Sequence, residues 1–161
     1  DLGRAYADQH GFASAFAVLG NLYGPGDDLD IDRAHVVAAL IMRCLNRPDE
    51  LVVWGTGRAT REHLYVEDAA EGMLAMARWG RPDPLNIGTG REVSVADLAH
   101  EVARATGFSG PIRFDDSKPD GQPRKVMDCS KATAALDWTA NTALADGLSR
   151  TVAWYREQRG E

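Results

Sequence analysis

Short apolar runs alternate with amphipathic stretches along the chain, and that alternation predicts its elements. Residues 2–10 carry a helical pattern that stops at Gly11, in the manner of a C-terminal glycine. Ala13 to Leu19 is a nearly unbroken apolar run, which predicts a strand buried on both faces. Asn21-Leu-Tyr-Gly-Pro-Gly26 predicts a loop from its Gly and Pro content. After the acidic stretch Asp27 to Asp32, Val36, Val37, Leu40, Ile41 and Cys44 recur at helical spacing. A helix from about Arg33 to Leu45 is expected, closed by Pro48.

Further along, Leu51 to Trp54 predicts a strand, Gly55-Thr-Gly57 a loop, and Leu64 to Val66 a short extended piece. A helix over 66–79 is capped by Gly80, and residues 85–88 are strand-like. Ser94 and Asp97 resemble a capping box, with Val95, Leu98, Val102 and Ala105 as the inward stripe before Gly107. Pro111 to Phe114 predicts a strand, 117–123 a polar turn and 132–136 a short helix. Leu144, Leu148, Val152 and Tyr155 stripe the last helix. This order is that of an α/β protein with a parallel sheet, but it holds fewer strands than a complete doubly wound sheet needs.

Composition narrows the chemistry. One domain is the expectation for 161 residues, and 44% hydrophobic with 26% charged residues excludes disorder. The net charge of −6 argues against nucleic acid as the general partner. No apolar run approaches the ~18 residues of a membrane span and no signal peptide is recognisable, so a cytoplasmic protein without a membrane partner is expected. Two cysteines, Cys44 and Cys129, exclude a disulfide framework and a four-cysteine zinc site. The four histidines show no metal-ligand spacing, and no metal is expected.

Two loop motifs fail on inspection. Asp28-Leu-Asp-Ile-Asp32 begins like a calcium loop, but Arg33 and Ala39 stand where Gly and Glu are required, leaving a solvated acidic loop. Gly88-Thr-Gly90 follows a strand, yet Val93 replaces the third glycine of a dinucleotide fingerprint, so it reads as a turn. His35, near a helix start beside a Gly/Pro loop, can exchange protons near neutral pH or serve as a surface or capping histidine. Arg43 lies two turns beyond it, Arg61 follows the strand ending at Trp54, and Arg124-Lys125 follows a turn. Guanidinium forks from several directions suit a pyrophosphate, although a lone arginine is commonly a surface charge.

Longer strings are more specific. Asn21-Leu-Tyr-Gly-Pro-Gly-Asp27, Ala34 to Leu40, Val53-Trp-Gly-Thr-Gly57, Arg61-Glu-His-Leu-Tyr-Val-Glu-Asp68, Asn86-Ile-Gly-Thr-Gly90, Ser117-Lys-Pro-Asp-Gly121 and Pro123 to Asp128 occur in one order. Together they resemble the GDP-L-fucose synthase family, NADPH-dependent epimerase-reductases among the extended short-chain dehydrogenases/reductases. The resemblance implies conversion of GDP-4-keto-6-deoxy-D-mannose to GDP-L-fucose by epimerisation at C3 and C5 and reduction at C4. It implies His35 as catalytic acid, Arg43, Trp54, Arg61, Asp120 and Lys125 as GDP-sugar contacts, and Leu19, Gly20, Asn21 and Leu22 along the nicotinamide half of NADP. Leu19-Gly20 replaces the family's Pro-Thr, and the acidic loop replaces a more neutral one.

The resemblance reaches only the carboxyl-terminal half of that family. Its glycine-rich cofactor loop, serine, cysteine and Tyr-x-x-x-Lys pair would lie before Asp1, so the cofactor would be bound mainly there. The expected fold is therefore the carboxyl-terminal part of an extended SDR (Rossmann) fold. Residues 1–26 and 66–90 would complete the Rossmann domain, and 27–65 and 91–161 would form the nucleotide-sugar domain. As a separate chain it is expected to be inactive and to expose apolar sheet edges. The full-length protein is expected to be a homodimer. Two other readings stay open: a UDP- or dTDP-sugar epimerase or dehydratase, and a non-catalytic ligand-binding module.

Overall fold

The structure is a computed structural model that describes residues 2–31 and 33–161. In chain order the elements are α1 (Leu2–His10), β1 (Phe16–Leu19), β2 (Leu22–Tyr23), α2 (Val36–Leu45), β3 (Leu51–Trp54), β4 (Thr60–Arg61), β5 (Leu64–Tyr65) and α3 (Val66–Trp79). There follow β6 (Pro84–Ile87), β7 (Val93–Ser94), α4 (Val95–Thr106), β8 (Ile112–Asp115), β9 (Arg124–Lys125), α5 (Ser130–Leu136) and α6 (Leu144–Gln158).

The longer helices form where periodicity and caps agree. Ser94 caps α4, its Oγ accepting from the Asp97 amide at 2.9 Å, and Gly107 ends the helix in the left-handed region at φ 70°. Gly80 ends α3 in the same way, at φ 65°. Parallel pairs join β1 to β6, β2 to β5 and β3 to β8. A small ribbon runs β7-β4-β9, antiparallel on one side and parallel on the other. Two cores result. One gathers α2, α4, α6 and β3 around Ile41, Leu51, Leu98, Leu148 and Tyr155. The other gathers Leu64, Met76, Leu85, Ile87 and Ala132 under α3, with Trp138 and Leu136 against it.

Three features depart from the sequence expectation. The strand expected over 13–19 covers only 16–19 and is exposed rather than buried, with Val18 at 47%. Among the described residues β1 bonds only to β6, so one edge and most of its faces have nothing to bury them. Leu2, Tyr6, Phe12, Phe16, Met73 and Leu74 are also exposed. The second helix starts at Val36, not Arg33, and leaves His35 as an extended N-cap residue (φ −66°, ψ 164°). The two-residue strands β2, inside the segment expected to be a loop, and β4, β7 and β9 of the ribbon were not expected, since two residues carry no readable period. Among the described residues no helix is long and apolar enough to cross a membrane, and no group of three His, Cys, Asp or Glu side chains could hold a metal.

Candidate functional site

Two clefts adjoin where the ribbon meets the start of α2. The larger, of about 390 Å³, is lined by Leu19, Gly20, Asn21 and Leu22, by His35, Val36 and Val37, and by Arg61, His63 and Lys125. The smaller, of about 290 Å³, shares Val36 and Arg61 with it and adds Arg43, Val53, Trp54 and Asp120. The sequence-nominated residues thus fall in these two clefts. His35, Lys125 and the 19–22 segment line one, Arg43, Trp54 and Asp120 line the other, and Arg61 lies on both.

Local folding explains the juxtaposition. In the parallel β4–β9 pair Arg61 stands opposite Lys125, placing two cations on neighbouring strands. The Lys125 Nζ donates to Asn21 Oδ1 at 3.3 Å, and Asn21 Nδ2 donates to the Glu62 carbonyl at 3.0 Å, which ties the β1–β2 link to the ribbon. Arg43 leaves the last turn of α2 and donates from Nη1 to the Val52 carbonyl at 3.3 Å. Arg61 Nη1 donates to the Thr60 carbonyl at 2.7 Å. Among the described residues none of Arg43, Arg61 and Lys125 forms an ion pair.

Asp120 is committed to the protein. Its carboxylate accepts the Thr56 amide at 2.7 Å and the Thr56 hydroxyl at 2.8 Å. Those two hydrogen bonds, hydroxyl first, hold its carboxyl below the usual aspartate range. Gly55, at φ +85°, allows the loop to wrap that carboxylate, which a Cβ there would strike. Trp54 is 61% exposed, with the Lys118 ammonium 5.9 Å from its ring centroid, so its flat face is presented rather than packed. His35 is exposed and makes no side-chain cap bond to α2.

Sequence reasoning passed over two residues here. Glu62 is only 2% exposed, yet its carboxylate accepts amides from Thr89 (2.9 Å), Gly90 (3.1 Å) and Met127 (2.8 Å). The Gly88-Thr-Gly90 turn therefore spends two amides on a buried carboxylate of its own chain. His63 is 7% exposed, and its Nδ1 is sealed from water without a partner. Burial, and secondly the Arg61 guanidinium, push its imidazole down to about 4. The available signal was weak: two ionisable residues directly before the short apolar run Leu64 to Val66.

Comparison with known proteins identifies the family and the fold. Residues 1–88 match the profile of the NAD dependent epimerase/dehydratase family. GDP-L-fucose synthase 1 of Arabidopsis thaliana is 43% identical over 157 residues, covering 94% of this chain and 48% of that protein. A crystal structure of a GDP-L-fucose synthetase from Naegleria fowleri bound to NADP superposes with a TM-score of 0.87 at 28% identity, covering 99% of this chain and 53% of the other. UDP-glucose 4-epimerase from Thermotoga maritima, solved with UDP-glucose, gives a TM-score of 0.86 at 28% identity over 97% and 50% of the two chains. The chain spans about half the length of these proteins, and its α/β fold is part of theirs.

Proposed function

The chain belongs to the NAD dependent epimerase/dehydratase family, and from that premise we propose that its joined clefts bind a nucleotide sugar in GDP-L-fucose synthase-like chemistry. The observation that carries this reading is the set Arg43, Arg61 and Lys125, three cations without ion pairs among the described residues, on two clefts that share Arg61. An acidic chain gathers uncompensated cations at one place to meet an anion, and a pyrophosphate takes fork-shaped donors from several sides. Trp54 offers a flat face for the base. The sugar then points toward His35 in the larger cleft. Protons α to a ketone are acidic enough for an imidazole to exchange, so His35 acts as acid during epimerisation at C3 and C5 of a 4-keto sugar. The GDP-L-fucose synthases at 35–43% identity favour GDP over other nucleotides.

A nicotinamide cofactor is implied by the family. Leu19 and Leu22 give an apolar wall to the larger cleft, and a Cβ on Gly20 would point inward to Glu62 and Leu64, leaving backbone toward the cleft. That surface fits the flat nicotinamide ring. The cofactor's pyrophosphate finds no glycine-rich fingerprint in this sequence. Bound there, NADPH supplies a hydride; residues 19–22 hold and orient its ring.

A thermal-shift panel of GDP-mannose, UDP-glucose and dTDP-glucose tests the reading. At 100 times Kd a ligand adds about 2.7 kcal/mol, or roughly 5–10 °C for a chain of this size. GDP-mannose should stabilise most. Preference for the UDP or dTDP sugar assigns a different nucleotide-sugar enzyme, and no shift with any of them refutes the site. Given NADPH and the keto sugar, the 161-residue chain should show no turnover; NADPH oxidation above blank would overturn that part.

A further inference from the structure

We infer that His63 is a specificity-determining residue of the larger cleft, donating a hydrogen bond from a neutral imidazole to a hydroxyl of the glycosyl group. The inference rests on the nucleotide-sugar reading and extends it to a residue outside the family strings' cationic set.

His63 lies between β4 and β5 and lines the cleft that also holds His35, Arg61 and Lys125. Its ring meets Tyr23 edge to face, with centroids 6.4 Å apart and planes at 86°. Among the described residues no protein group satisfies its Nδ1. Nδ1 is sealed and unpartnered, and among the described residues no hydrogen bond reaches the ring at all. A ligand cannot reach the sealed Nδ1; Nε2 is not sealed and, among the described residues, accepts or donates no hydrogen bond, so it is the ring nitrogen open to a partner from outside the chain.

The sealed nitrogen also sets the tautomer. An N–H buried without an acceptor is worse than a bare lone pair, which puts the proton on Nε2 and leaves that nitrogen to face the cleft. The ring is held neutral by its burial and by the neighbouring Arg61 guanidinium. A neutral donor is a poor counter-ion for phosphate, which has Arg61 and Lys125 beside it. It suits an alcohol oxygen. The larger cleft therefore sorts its ligand, charge toward the β4–β9 cations and hydroxyls toward His63. Sites built to hydrogen-bond a substrate hydroxyl reject analogues that lack it far more strongly than apolar pockets do.

The test compares GDP with GDP-mannose by calorimetry, using the full chain and two variants. His63→Phe keeps the flat ring and removes the donor; His63→Gln restores an amide N–H at nearly the reach of Nε2. We expect His63→Phe to weaken GDP-mannose about ten-fold, the loss of one hydrogen bond of about 1.4 kcal/mol, and to leave GDP within about two-fold. His63→Gln should recover most of the difference. In parallel, the ring-nitrogen NMR signals of the unsubstituted chain should report the Nε2–H tautomer and move on saturation with GDP-mannose but not with GDP. Equal losses for both ligands, unchanged GDP-mannose affinity in His63→Phe, or a His63 ring signal indifferent to GDP-mannose overturns the assignment while leaving the nucleotide site standing. If the unsubstituted chain binds neither ligand, the nucleotide-sugar reading itself falls. Should His63→Phe fail to fold, the NMR signals decide alone.

Discussion

Glu62→Ala is expected to be among the most destabilising substitutions in the chain, although Glu62 touches no cation. The carboxylate is 2% exposed and accepts three backbone amides, from Thr89 and Gly90 at Oε2 and from Met127 at Oε1. Hydrogen bonds to a charged group contribute about 1.5–3 kcal/mol each, so three give roughly 4.5–9 kcal/mol gross. Burying the carboxylate takes back several kcal/mol. The alanine variant escapes that burial penalty but strands three amides, and water can reach part of them because the Thr89 and Met127 segments are half-buried. The net loss is then about 3 kcal/mol, or roughly 6–12 °C in melting temperature for a domain of this size. Glu62→Gln keeps one acceptor oxygen and turns an NH2 against the amide that faced the other, so it should lose about half as much.

Urea titration followed by tryptophan fluorescence measures all three forms. Glu71→Ala, an exposed carboxylate on α3, is the control and should stay within about 0.5 kcal/mol. A Glu62→Ala loss under about 1 kcal/mol, or one equal to that of Glu71→Ala, refutes the clasp. A second readout separates clasp from bulk stability. Glu62 holds the Met127 amide just beyond β9, and β9 carries Lys125 beside Arg61. In a folded Glu62→Gln chain, GDP affinity should therefore drop as well.

Acid should also weaken the fold through His63. Its imidazole sits at about 4 when folded against ~6.5 when unfolded, so the folded state binds fewer protons between those values. Stability is full above pH ~6.5 and falls by up to about 3 kcal/mol as pH drops to ~4; His63→Phe should flatten that part of a plot of urea midpoint against pH. Gly147→Ala raises helix propensity in α6 but should destabilise by about 1–2 kcal/mol, because the new Cβ would strike the Tyr23 hydroxyl and crowd Tyr65; a melting temperature at or above that of the unsubstituted chain contradicts this. Arg61→Ala and Arg43→Ala should each weaken GDP binding about ten-fold or more, with a shallower salt dependence, read by calorimetry at two ionic strengths.

Legibility in the sequence followed the range of the signal. The helices α3, α4 and α6 show several turns of apolar period, and glycine in the left-handed region ends α3 and α4. Such signals are local, so the chain displays them in order. The ribbon β7-β4-β9 is built from two-residue strands whose pairing is non-local, and nothing near Arg124 announces that Lys125 will lie opposite Arg61. The apolar run ending in β1 was read as buried because burial is what such runs ordinarily meet. Among the described residues only β6 answers it, and Phe16 and Val18 stay exposed. Charged residues of the candidate site were visible by type. Glu62 and His63 were not, since their roles come from burial, which no residue type states.

The string Arg61 to Asp68 then explains why scaffold and site are hard to separate here. Arg61 lies on both clefts and His63 lines one. Leu64 and Tyr65 are at most 1% exposed and fill the two different cores. Glu62 fastens the 88–90 turn and Met127, and Asp68, buried at 6%, accepts the Thr142 amide at 2.9 Å and its hydroxyl at 3.0 Å. A stretch running from β4 through β5 into the first turn of α3 thus faces ligand, both cores and two loop clasps, with Leu64 and Tyr65 of β5 pointing to opposite sides because a strand alternates its side chains. A substitution that relaxes either clasp must shift the cleft residues beside it, since a packed segment of this length has no slack to absorb the change. Stability and ligand affinity should consequently fall together for Glu62 and separately for Arg61, whose side chain leaves the cores untouched.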